Sequence, residues 1–437
     1  MSRQKAEELI KFIEKSPSSF HAIDTMSQEL EKSGFRHLYE EEAWEFQSGG
    51  KYYVTRNGSS LIAFTIPTRE MKSFQIIASH SDSPTFKLKE NPEIEVEQQF
   101  VKLNVEKYGG MLMAPWFDRP LSLAGRLLVQ EDDRIVTHLV NVDRDLVMIP
   151  SLAIHMDRKA NEGYVYNPQI DLLPLLGGSG TKGSLMKILG ESAGVSPEAI
   201  MGMDIYLYNR VKGTIWGAQE EFVSSGRLDD LQCGFASLKA LLASENKDHV
   251  MVHCVLDNEE VGSLTRQGAA STFLKDTLER IAGGFGLNRE GYLRAIASSF
   301  MLSADNGHSV HPNYQDKTDA SNRPYINGGI VLKFNASQKY TTDGTSAAVF
   351  RSICRHAKVP CQTFVNRSDI PGGSTLGNIS NGQVSIHMAD IGLAQLAMHS
   401  PFETSGVKDT EYLIEAARTF YSADIEIING GIYKVNI

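Results

Sequence analysis

The sequence predicts an α/β fold, with a mostly parallel central sheet flanked by helices and a β-rich second domain inserted into it. Strand-like segments alternate with helical patterns over most of the chain, which is typical of α/β proteins. Several of these strands are apolar on both faces, as expected where helices cover both sides of a parallel sheet. Region 93–220 differs, because it has strand-like segments but few long helical patterns.

Local periodicity predicts individual strands and helices. The predicted strands are SLIAFTIP (60–67), FQIIAS (74–79), HVMVHCVL (249–256), SFMLSA (299–304) and VSIHMA (384–389). The predicted helices are DLQCGFASLKALLASE (230–245), STFLKDTLERIAG (271–283), SAAVFRSICRHA (346–357) and DTEYLIEAARTFYS (409–422). The N-terminal segment MSRQKAEELIKFIEKSPSSF adds an amphipathic helical pattern.

With 437 residues, the chain is long enough for two domains. Residues 1–92 and 221–437 are predicted to form one discontinuous α/β domain, and residues 93–220 the inserted domain. The insert contains the strand-like segments GRLLVQ and DIYLYN and a loop rich in glycine and serine, LLGGSGTKGSLMK (175–187).

The composition argues against nucleic acid and membranes as partners. Lys and Arg number 43 against 53 Asp and Glu, so the formal net charge is −10, and no basic cluster stands out for phosphate contacts. No apolar run approaches the roughly 20 residues that span a bilayer. The N-terminus lacks the apolar core of a signal peptide, and the four cysteines form no C-x-x-C pair. We therefore expect a cytoplasmic protein with reduced thiols.

Polar side chains follow three of the predicted strands at the point where each strand ends. FQIIAS leads into His80-Ser81-Asp82, HVMVHCVL into Asp257-Asn258-Glu259-Glu260, and SFMLSA into Asp305, followed by His308 and His311. Ligands of open parallel sheets bind at the carboxyl ends of strands, so these groups are predicted to converge on one crevice. Two further candidates are Asp229, at the start of a predicted helix, and His399.

Each of these residues has a simpler interpretation by itself. Asp229 suits a helix N-cap or first-turn acid, and a lone His399 suits a structural role. Together, however, histidines and carboxylates without cysteine suit divalent ions such as zinc, and two such ions can share a bridging carboxylate. Adjacent side chains on an extended backbone point apart. Glu260 would therefore bind metal, while Glu259 would take the proton from a metal-bound water.

Seven sequence blocks, in order along the chain, match those of a known family. They are ASHSDSP (78–84), WFDRPLSLAGRL (116–127), IPSLAIHMDR (149–158), SGRLDDLQ (225–232), DNEEVGS (257–263), SADNGHSVHPNYQDK (303–317) and LAMHSPFETSGV (396–407). Over nearly its whole length the sequence resembles the aspartyl aminopeptidases, which are cocatalytic zinc exopeptidases. The resemblance implies a zinc-exopeptidase-like fold and removal of the N-terminal residue of peptides, Asp or Glu by default, by a metal-bound hydroxide. A chain shorter than the eukaryotic members suggests a bacterial form.

The resemblance also implies two divalent metal ions per subunit, zinc by default, with cobalt or manganese as alternatives. His80, Asp229 and Asp305 would hold one ion. Asp229 would bridge to the second ion, which Glu260 and His399 complete.

Further positions carry roles that the resemblance implies. Glu259 would be the general base, and Asp82 the acid that orients His80. Three positions match substrate-contacting residues, namely His308, Lys333 and Tyr340. Lys333 would meet an acidic substrate side chain, although an ordinary position at a strand end explains it equally well.

His155 matches an imidazole that projects into the active site of a neighbouring subunit in the family. The resemblance accordingly implies homodimers that assemble into a dodecamer. Three residues depart from the family pattern. Ser81 replaces Thr, Asp230 stands where Asn is common, and Pro120 replaces an acid. Because of Asp230, the metal preference of the site stays open. Because of Pro120, the contacts made by the loop around residue 120 stay open as well.

Three other functions are alternatives to an aminopeptidase. A related cocatalytic zinc deacylase or carboxypeptidase would use the same kinds of ligand. The segment GGSGTKGS (177–184) suggests a nucleotide-binding regulator, but its glycine follows Lys182, whereas a phosphate loop requires G-x-x-x-x-G-K-[ST]. An inactive scaffold is the third alternative, and the presence of Glu259 argues against it.

Overall fold

The computed structural model describes residues 2–437. Its helices are α1 (Ser2–Glu14), α2 (Ser19–Lys32), α3 (Ser184–Ala193), α4 (Leu228–Leu242), α5 (Phe273–Gly284), α6 (Arg289–Ala297), α7 (Gly344–Ala357), α8 (Leu376–Asn381) and α9 (Asp409–Ser422). Its strands are β1 (Arg36–Leu38), β2 (Lys51–Arg56), β3 (Ser60–Thr65), β4 (Ser73–His80), β5 (Thr85–Val96), β6 (Phe100–Tyr108), β7 (Leu121–Glu131), β8 (Arg134–Asn141), β9 (Leu175–Gly178), β10 (Ile200–Asn209), β11 (Thr214–Trp216), β12 (Phe222–Ser225), β13 (His249–Leu256), β14 (Phe300–Ala304), β15 (Gly307–His308), β16 (Ile330–Phe334), β17 (Cys361–Val365), β18 (His387–Gly392), β19 (Ala394–Leu396), β20 (Glu403–Gly406), β21 (Asp424–Ile428) and β22 (Ile432–Asn436).

The largest sheet has nine strands in the order β1-β2-β3-β13-β4-β14-β18-β16-β17. Its four middle strands, β13, β4, β14 and β18, run parallel to one another, whereas β3 and β16 pair antiparallel with their inner neighbours. Helices α1, α2, α4, α7 and α9 pack on one face of the sheet, and α5, α6 and α8 on the other. Along β4, Ile76 therefore joins one core and Ile77 the other, which explains why the strand is apolar throughout. The predicted α/β class is confirmed.

The strands predicted from the sequence all occur in this sheet. Strand β13 has the predicted bounds, and β3, β4 and β14 differ from theirs by one or two residues. Strand β18 begins at His387 instead of 384, because the preceding residues bond back to the end of α8. Val384 N–H, for example, donates to the Ser380 carbonyl at 2.9 Å.

A six-stranded antiparallel sheet in the order β8-β7-β10-β5-β6-β9 occupies the middle of the chain, from Thr85 to Asn209. With α3 it encloses its own apolar core. Strands β11 and β12 instead belong to a third sheet, in the order β11-β12-β20-β19-β15, and so pair with the C-terminal part of the chain. A hairpin of β21 and β22 ends the fold. Among residues 2–437, none of the helices combines the length and apolar composition needed to cross a membrane.

The glycine-rich loop before α3 is bonded to acidic side chains. Lys182 Nζ lies 2.8 Å from Glu95 Oε2. The backbone N–H groups of Gly183 and Leu185 donate to the Glu93 carboxylate. The donors that would cradle a phosphate at this helix N-terminus therefore already have carboxylate partners, which speaks against a nucleotide site.

Candidate metal centre

Three neighbouring parallel strands bring the predicted site residues together. His80 is the last residue of β4, and Asp305 directly follows β14. Glu259 and Glu260 follow β13 in a single 3₁₀ turn, Glu259–Val261. Because β13, β4 and β14 are adjacent and parallel, their carboxyl ends meet at one edge of the sheet.

Two further candidates approach from other elements. Asp229 lies at the start of α4, where its backbone is not helical (φ −83°, ψ 108°) and the Asp229–Asp230 peptide bond is cis. The Asp229 N–H donates to Glu403 Oε2 at 3.0 Å, and the His399 N–H donates to Glu403 Oε1 at 2.8 Å. The buried Glu403 thus fixes the backbone of two candidate ligands. Sequence reasoning missed Glu403, although it lies within the LAMHSPFETSGV block.

The candidate ligands form two sets that share Asp229. In the first set, His80 Nε2 lies 3.6 Å from Asp229 Oδ1 and 3.9 Å from Asp305 Oδ1. In the second, His399 Nε2 lies 3.5 Å from Asp229 Oδ2 and 3.3 Å from Glu260 Oε2. The ligand atoms of each set lie within 4.8 Å of one another. Asp229 therefore turns one oxygen towards each set.

The polar atoms of these residues fit a bound cation. Asp229 Oδ1 and Glu260 Oε1 are buried and have no hydrogen-bond partner among the residues that the structure describes. A buried carboxylate oxygen without a partner is costly, and a metal ion would satisfy it. Imidazole nitrogen and carboxylate oxygen, without sulfur, form a donor set that suits zinc.

Asp82 orders both the His80 ring and the Glu259–Glu260 turn. His80 Nδ1 lies 3.1 Å from the Asp82 carbonyl and 3.4 Å from Asp82 Oδ1, so Nδ1–H has acceptors there and Nε2 presents its lone pair to the first ligand set. The N–H groups of Glu259 and Glu260 donate to the two Asp82 carboxylate oxygens at 3.1 and 3.2 Å. Tyr108 Oη donates to Asp82 Oδ2 at 2.7 Å. Asp82 therefore acts on the site by positioning its neighbours.

Charge crowding and burial shift the acidities at this site. Burial raises the pKa of Glu259 to about 8, and the nearby carboxylates of Asp305 and Asp82 add to the shift. Burial and the charge of Asp229 raise the pKa of Glu260 well above its ordinary value. For Asp229 itself, the His399 and His80 imidazoles outweigh the effect of burial and lower the pKa. A cation would relieve this repulsion between carboxylates.

The site opens into a cleft of about 300 Å³. His308, Lys333 and Tyr340 line it together with the candidate metal ligands and Glu259. Lys333 is only 2% exposed, and its Nζ donates to the Asn306 carbonyl at 2.8 Å and lies 3.5 Å from Asp305 Oδ2. The negative charge of Asp305 outweighs the effect of burial, so the pKa of Lys333 is raised. The cleft thus holds a permanent buried cation.

Two predicted site residues, Asp82 and His155, do not line this cleft among the described residues; Asp82 lies behind it as described above, whereas His155 lies in a separate segment. It is exposed, in the segment 150–171, which contains no strand or helix of the described structure. Neighbouring apolar side chains are also exposed, Ile154 at 47%, Met156 at 75% and Val165 at 89%. A concentration of exposed apolar side chains in one segment is typical of a protein–protein interface.

An α/β sheet that gathers histidines and carboxylates at the ends of its parallel strands, with a further glutamate beside them, defines a metal-dependent hydrolase. Comparison with known proteins gives the family. The model described as "Aminopeptidase I zinc metalloprotease (M18)" matches residues 12–421. The chain belongs to the M18 family of zinc metalloaminopeptidases, so the enzyme class predicted from the sequence is confirmed.

Individual relatives agree with this assignment. The chain is 46% identical over 425 residues to "Probable M18 family aminopeptidase 2" of Clostridium acetobutylicum, covering 95% of this chain and 98% of the relative. Its fold matches the structure described as "Cryo-EM structure of the Ape4 and Nbr1 complex" with a TM-score of 0.92 and 35% identity, over 96% of this chain and 86% of the other. It also matches the Saccharomyces cerevisiae "mApe1 dodecamer" with a TM-score of 0.85 and 30% identity, over 96% of each chain.

Proposed function

We propose that this aminopeptidase releases an N-terminal Asp or Glu from short peptides by means of two divalent ions and Glu259. The observation that carries the proposal is the orientation of the Asp229 carboxylate. Its Oδ1 faces the His80 imidazole, and its Oδ2 faces the His399 imidazole. A carboxylate shared in this way suits a pair of ions, whereas one ion would need only one of the two sets.

His80, Asp229 and Asp305 would hold one ion, and Asp229, Glu260 and His399 the other. Zinc suits this donor set, with cobalt and manganese as the alternatives. When bound, the ions would polarise the scissile carbonyl and lower the pKa of the attacking water.

Glu259 would perform the proton transfers of the reaction. It lies in the cleft beside the ligand sets, and burial raises its pKa to about 8, close to the operating range of a general base. It would accept the proton of the attacking water and deliver it to the nitrogen of the leaving peptide. The Asp82 carboxylate would keep Glu259 in place through its backbone N–H.

An acidic first residue is favoured by the cation in the cleft. Lys333 is buried and lies 5.5 Å from the centre of the Tyr340 ring, and His308 lies on the same cleft wall. A substrate carboxylate entering there would pair with a desolvated ammonium group, which strengthens the attraction. A neutral side chain of the same size would add no ion pair, and the Lys333 ammonium group would keep only its contacts with the Asn306 carbonyl and Asp305.

We further propose that the chain consists of an α/β catalytic part (residues 1–92 and 221–437) and an inserted β-rich part (residues 93–220), and that it acts in the cytoplasm as a dodecamer assembled from homodimers. The exposed apolar segment 150–171 supports an interface, and the yeast relative is a dodecamer. His155, in that segment, would then reach the cleft of a partner subunit. Sedimentation at working concentration tests the assembly, and a monomer would contradict it.

The main experiment is turnover after metal removal by chelation and reloading with Zn, Co or Mn. The substrates form a panel of tripeptides that differ only in the first residue: Asp, Glu, Asn, Gln, Ala or Lys. We expect no turnover without metal, recovery with a divalent ion, and the highest kcat/KM for Asp or Glu. Equal rates for Asp and Asn would contradict acidic selectivity, and full activity of the metal-free protein would contradict the mechanism.

A further inference from the structure

A second cavity, of about 340 Å³, adjoins the metal cleft. The two cavities share four lining residues, His308, Phe364, Gly373 and Met398, so they are adjacent. The outer cavity is bounded by the segments 309–318 and 365–371 and by the β19 region. We call it the basic chamber. Of its lining residues, only His308 has a part in the proposed function.

The side chains that line the basic chamber differ in charge from those that line the metal cleft. Its lining includes His308, His311, Lys317 and Arg367, and no Asp or Glu. The metal cleft, in contrast, is lined by Asp229, Asp305, Glu259 and Glu260, and the whole chain carries a formal net charge of −10. A cationic cavity beside an acidic one is a place where a carboxylate is favoured over a neutral group.

Within the chamber, Lys317 is the cation that forms no ion pair among the described residues, although its charge helps to lower the pKa of the nearby Asp369. The Arg367 guanidinium is held by Asp369 in a bidentate pair, with Nε–Oδ1 at 2.7 Å and Nη2–Oδ2 at 2.6 Å. Its Nη1 donates to the Asp316 carbonyl. Lys317, by contrast, has no carboxylate oxygen within ion-pair distance in the range 2–437. Its exposed ammonium group at the rim is therefore available to a ligand.

The position of the chamber relative to the scissile bond indicates which part of a peptide substrate it would bind. This step rests on the proposed function. The carbonyl to be cleaved lies at the ligand sets, and the first side chain lies against Lys333 and Tyr340. The rest of the peptide must continue out of the cleft, and the shared wall of His308 and Phe364 leads into the chamber. An extended chain advances about 3.3–3.6 Å per residue, so the next one or two residues would reach it.

We propose that the basic chamber binds the part of the peptide that follows the scissile bond and selects a carboxylate there. The carboxylate belongs to an acidic side chain at the second or third position or to the free C-terminus of a di- or tripeptide. Lys317 supplies the pairing charge, while Tyr314 and Ile370 supply apolar wall. The enzyme would accordingly prefer short acidic peptides over peptides with a neutral continuation.

The test is a comparison of kcat/KM among tripeptides that share one first residue. That residue is the one that the substrate panel identifies as best, so an error in the proposed acidic first-residue preference leaves this test intact. The four tripeptides are X-Ala-Glu and X-Ala-Gln, each with a free carboxylate or an amide at the C-terminus. The p-nitroanilide of X, which has no residue after the scissile bond, is the reference substrate.

For the wild-type enzyme we expect kcat/KM to favour the peptides with a carboxylate by about two- to fivefold, the range of a partly exposed ion pair. In Lys317→Gln the ratio of acidic to neutral peptide should fall towards one, and in Lys317→Glu it should invert. The matched control is Lys434→Gln, which removes an exposed lysine from the C-terminal hairpin and should keep the wild-type ratio. High salt should reduce the wild-type ratio, because a rim pair is screened.

Two results would overturn the proposal. One is a wild-type enzyme that does not distinguish acidic from neutral continuations. The other is an equal loss in Lys317→Gln on the p-nitroanilide and on all tripeptides, since that result assigns the chamber to the first residue. Failure of the proposed aminopeptidase activity is distinct from both, because it would leave every substrate of the panel uncleaved.

Discussion

Glu403 and Asp229 are joined by a hydrogen bond of 3.0 Å, in which the Asp229 backbone N–H donates to Glu403 Oε2. The other oxygen, Oε1, accepts the His399 N–H at 2.8 Å and the Gln395 side-chain amide at 3.3 Å. One buried carboxylate therefore fixes the distance between the start of α4 and the segment that carries His399. The geometry of the second ligand set depends on a residue that is not a ligand.

Replacing Glu403 is expected to weaken metal binding. Glu403→Gln keeps the shape but turns an amide NH₂ towards one of the backbone N–H groups, so one hydrogen bond is lost and a repulsion is created. Loss of such an outer partner typically costs about 10- to 100-fold in metal affinity. Zinc titration against a competing chelator measures the change. Glu415→Gln, on the exposed face of α9, is the control, and equal affinities in the two variants would contradict the role of Glu403.

Asp229→Ala is expected to cost both ions, because Asp229 contributes an oxygen to each ligand set. Asp305→Ala should cost only one ion, since Asp305 belongs to one set. Metal content per subunit after exhaustive dialysis distinguishes the two variants. An Asp229 variant that still holds two tightly bound ions would show that the carboxylate is not shared.

The features that could be predicted from the sequence are those that local pattern determines. Strand β13 and helix α9 have the predicted bounds, because a short valine-rich run and a regular 3.6-residue repeat are clear signals. The ligands at the ends of β4, β13 and β14 follow from the rule that parallel strands present their carboxyl ends together. Helix α2 is not among the predicted helices, since the N-terminal helical pattern of the sequence covers only residues 1–20 and α2 runs on to Lys32.

Other features depend on pairing between distant parts of the chain. Strand β12 pairs with β20, where Phe222 lies opposite Gly406, and local periodicity contains no information about that partner. The same holds for Glu403, which looks like an ordinary acid in a loop until the fold brings it to Asp229. Strand β5 begins at Thr85, so the six-stranded sheet starts before residue 93. Residue 93 is the predicted start of the inserted domain, chosen because long helical patterns become rare there.

Glu259→Gln should retain metal and lose turnover. The amide cannot accept a proton, while the backbone N–H that donates to Asp82 is unchanged. Loss of a general base typically lowers kcat by about 10²- to 10⁴-fold. Metal content and kcat are measured on the same preparation, with Glu415→Gln as the control. Turnover near the wild-type value would remove Glu259 from the mechanism.

Metal affinity is expected to rise with pH between about 6 and 8. In the metal-free protein, burial raises the pKa of Glu260, a candidate ligand, well above its ordinary value, and raises that of the adjacent Glu259 to about 8. Both groups hold protons below their raised pKa values; Glu260 must lose its proton before it binds metal, and a bound cation in turn favours the charged form of Glu259. Acid therefore competes with zinc, and the competition weakens as pH rises. Calorimetric titration in two buffers of different ionisation enthalpy counts the released protons, and an affinity independent of pH would contradict this linkage.

Asp390 is expected to govern substrate binding through the cleft walls. It is fully buried on β18, where its Oδ2 accepts the Thr341 N–H at 2.5 Å and the Thr341 hydroxyl at 2.6 Å. Its Oδ1 accepts the Thr375 hydroxyl at 2.7 Å. One carboxylate thus ties the residue after Tyr340 to the segment that begins at Gly373, and both Tyr340 and Gly373 face the cleft.

In Asp390→Asn the amide replaces one acceptor by a donor, and hydrogen bonds to a charged group are worth about 1.5–3 kcal/mol each. We expect KM for the tripeptides to rise about tenfold or more, with kcat less affected and metal content unchanged. Asp409→Asn is the matched control, because Asp409 is also buried and accepts the Asn327 N–H at 2.7 Å, but it does not line the cleft. Both variants should unfold at lower temperature, whereas only Asp390→Asn should raise KM. A rise in KM of the same size in both would assign the effect to general loss of stability.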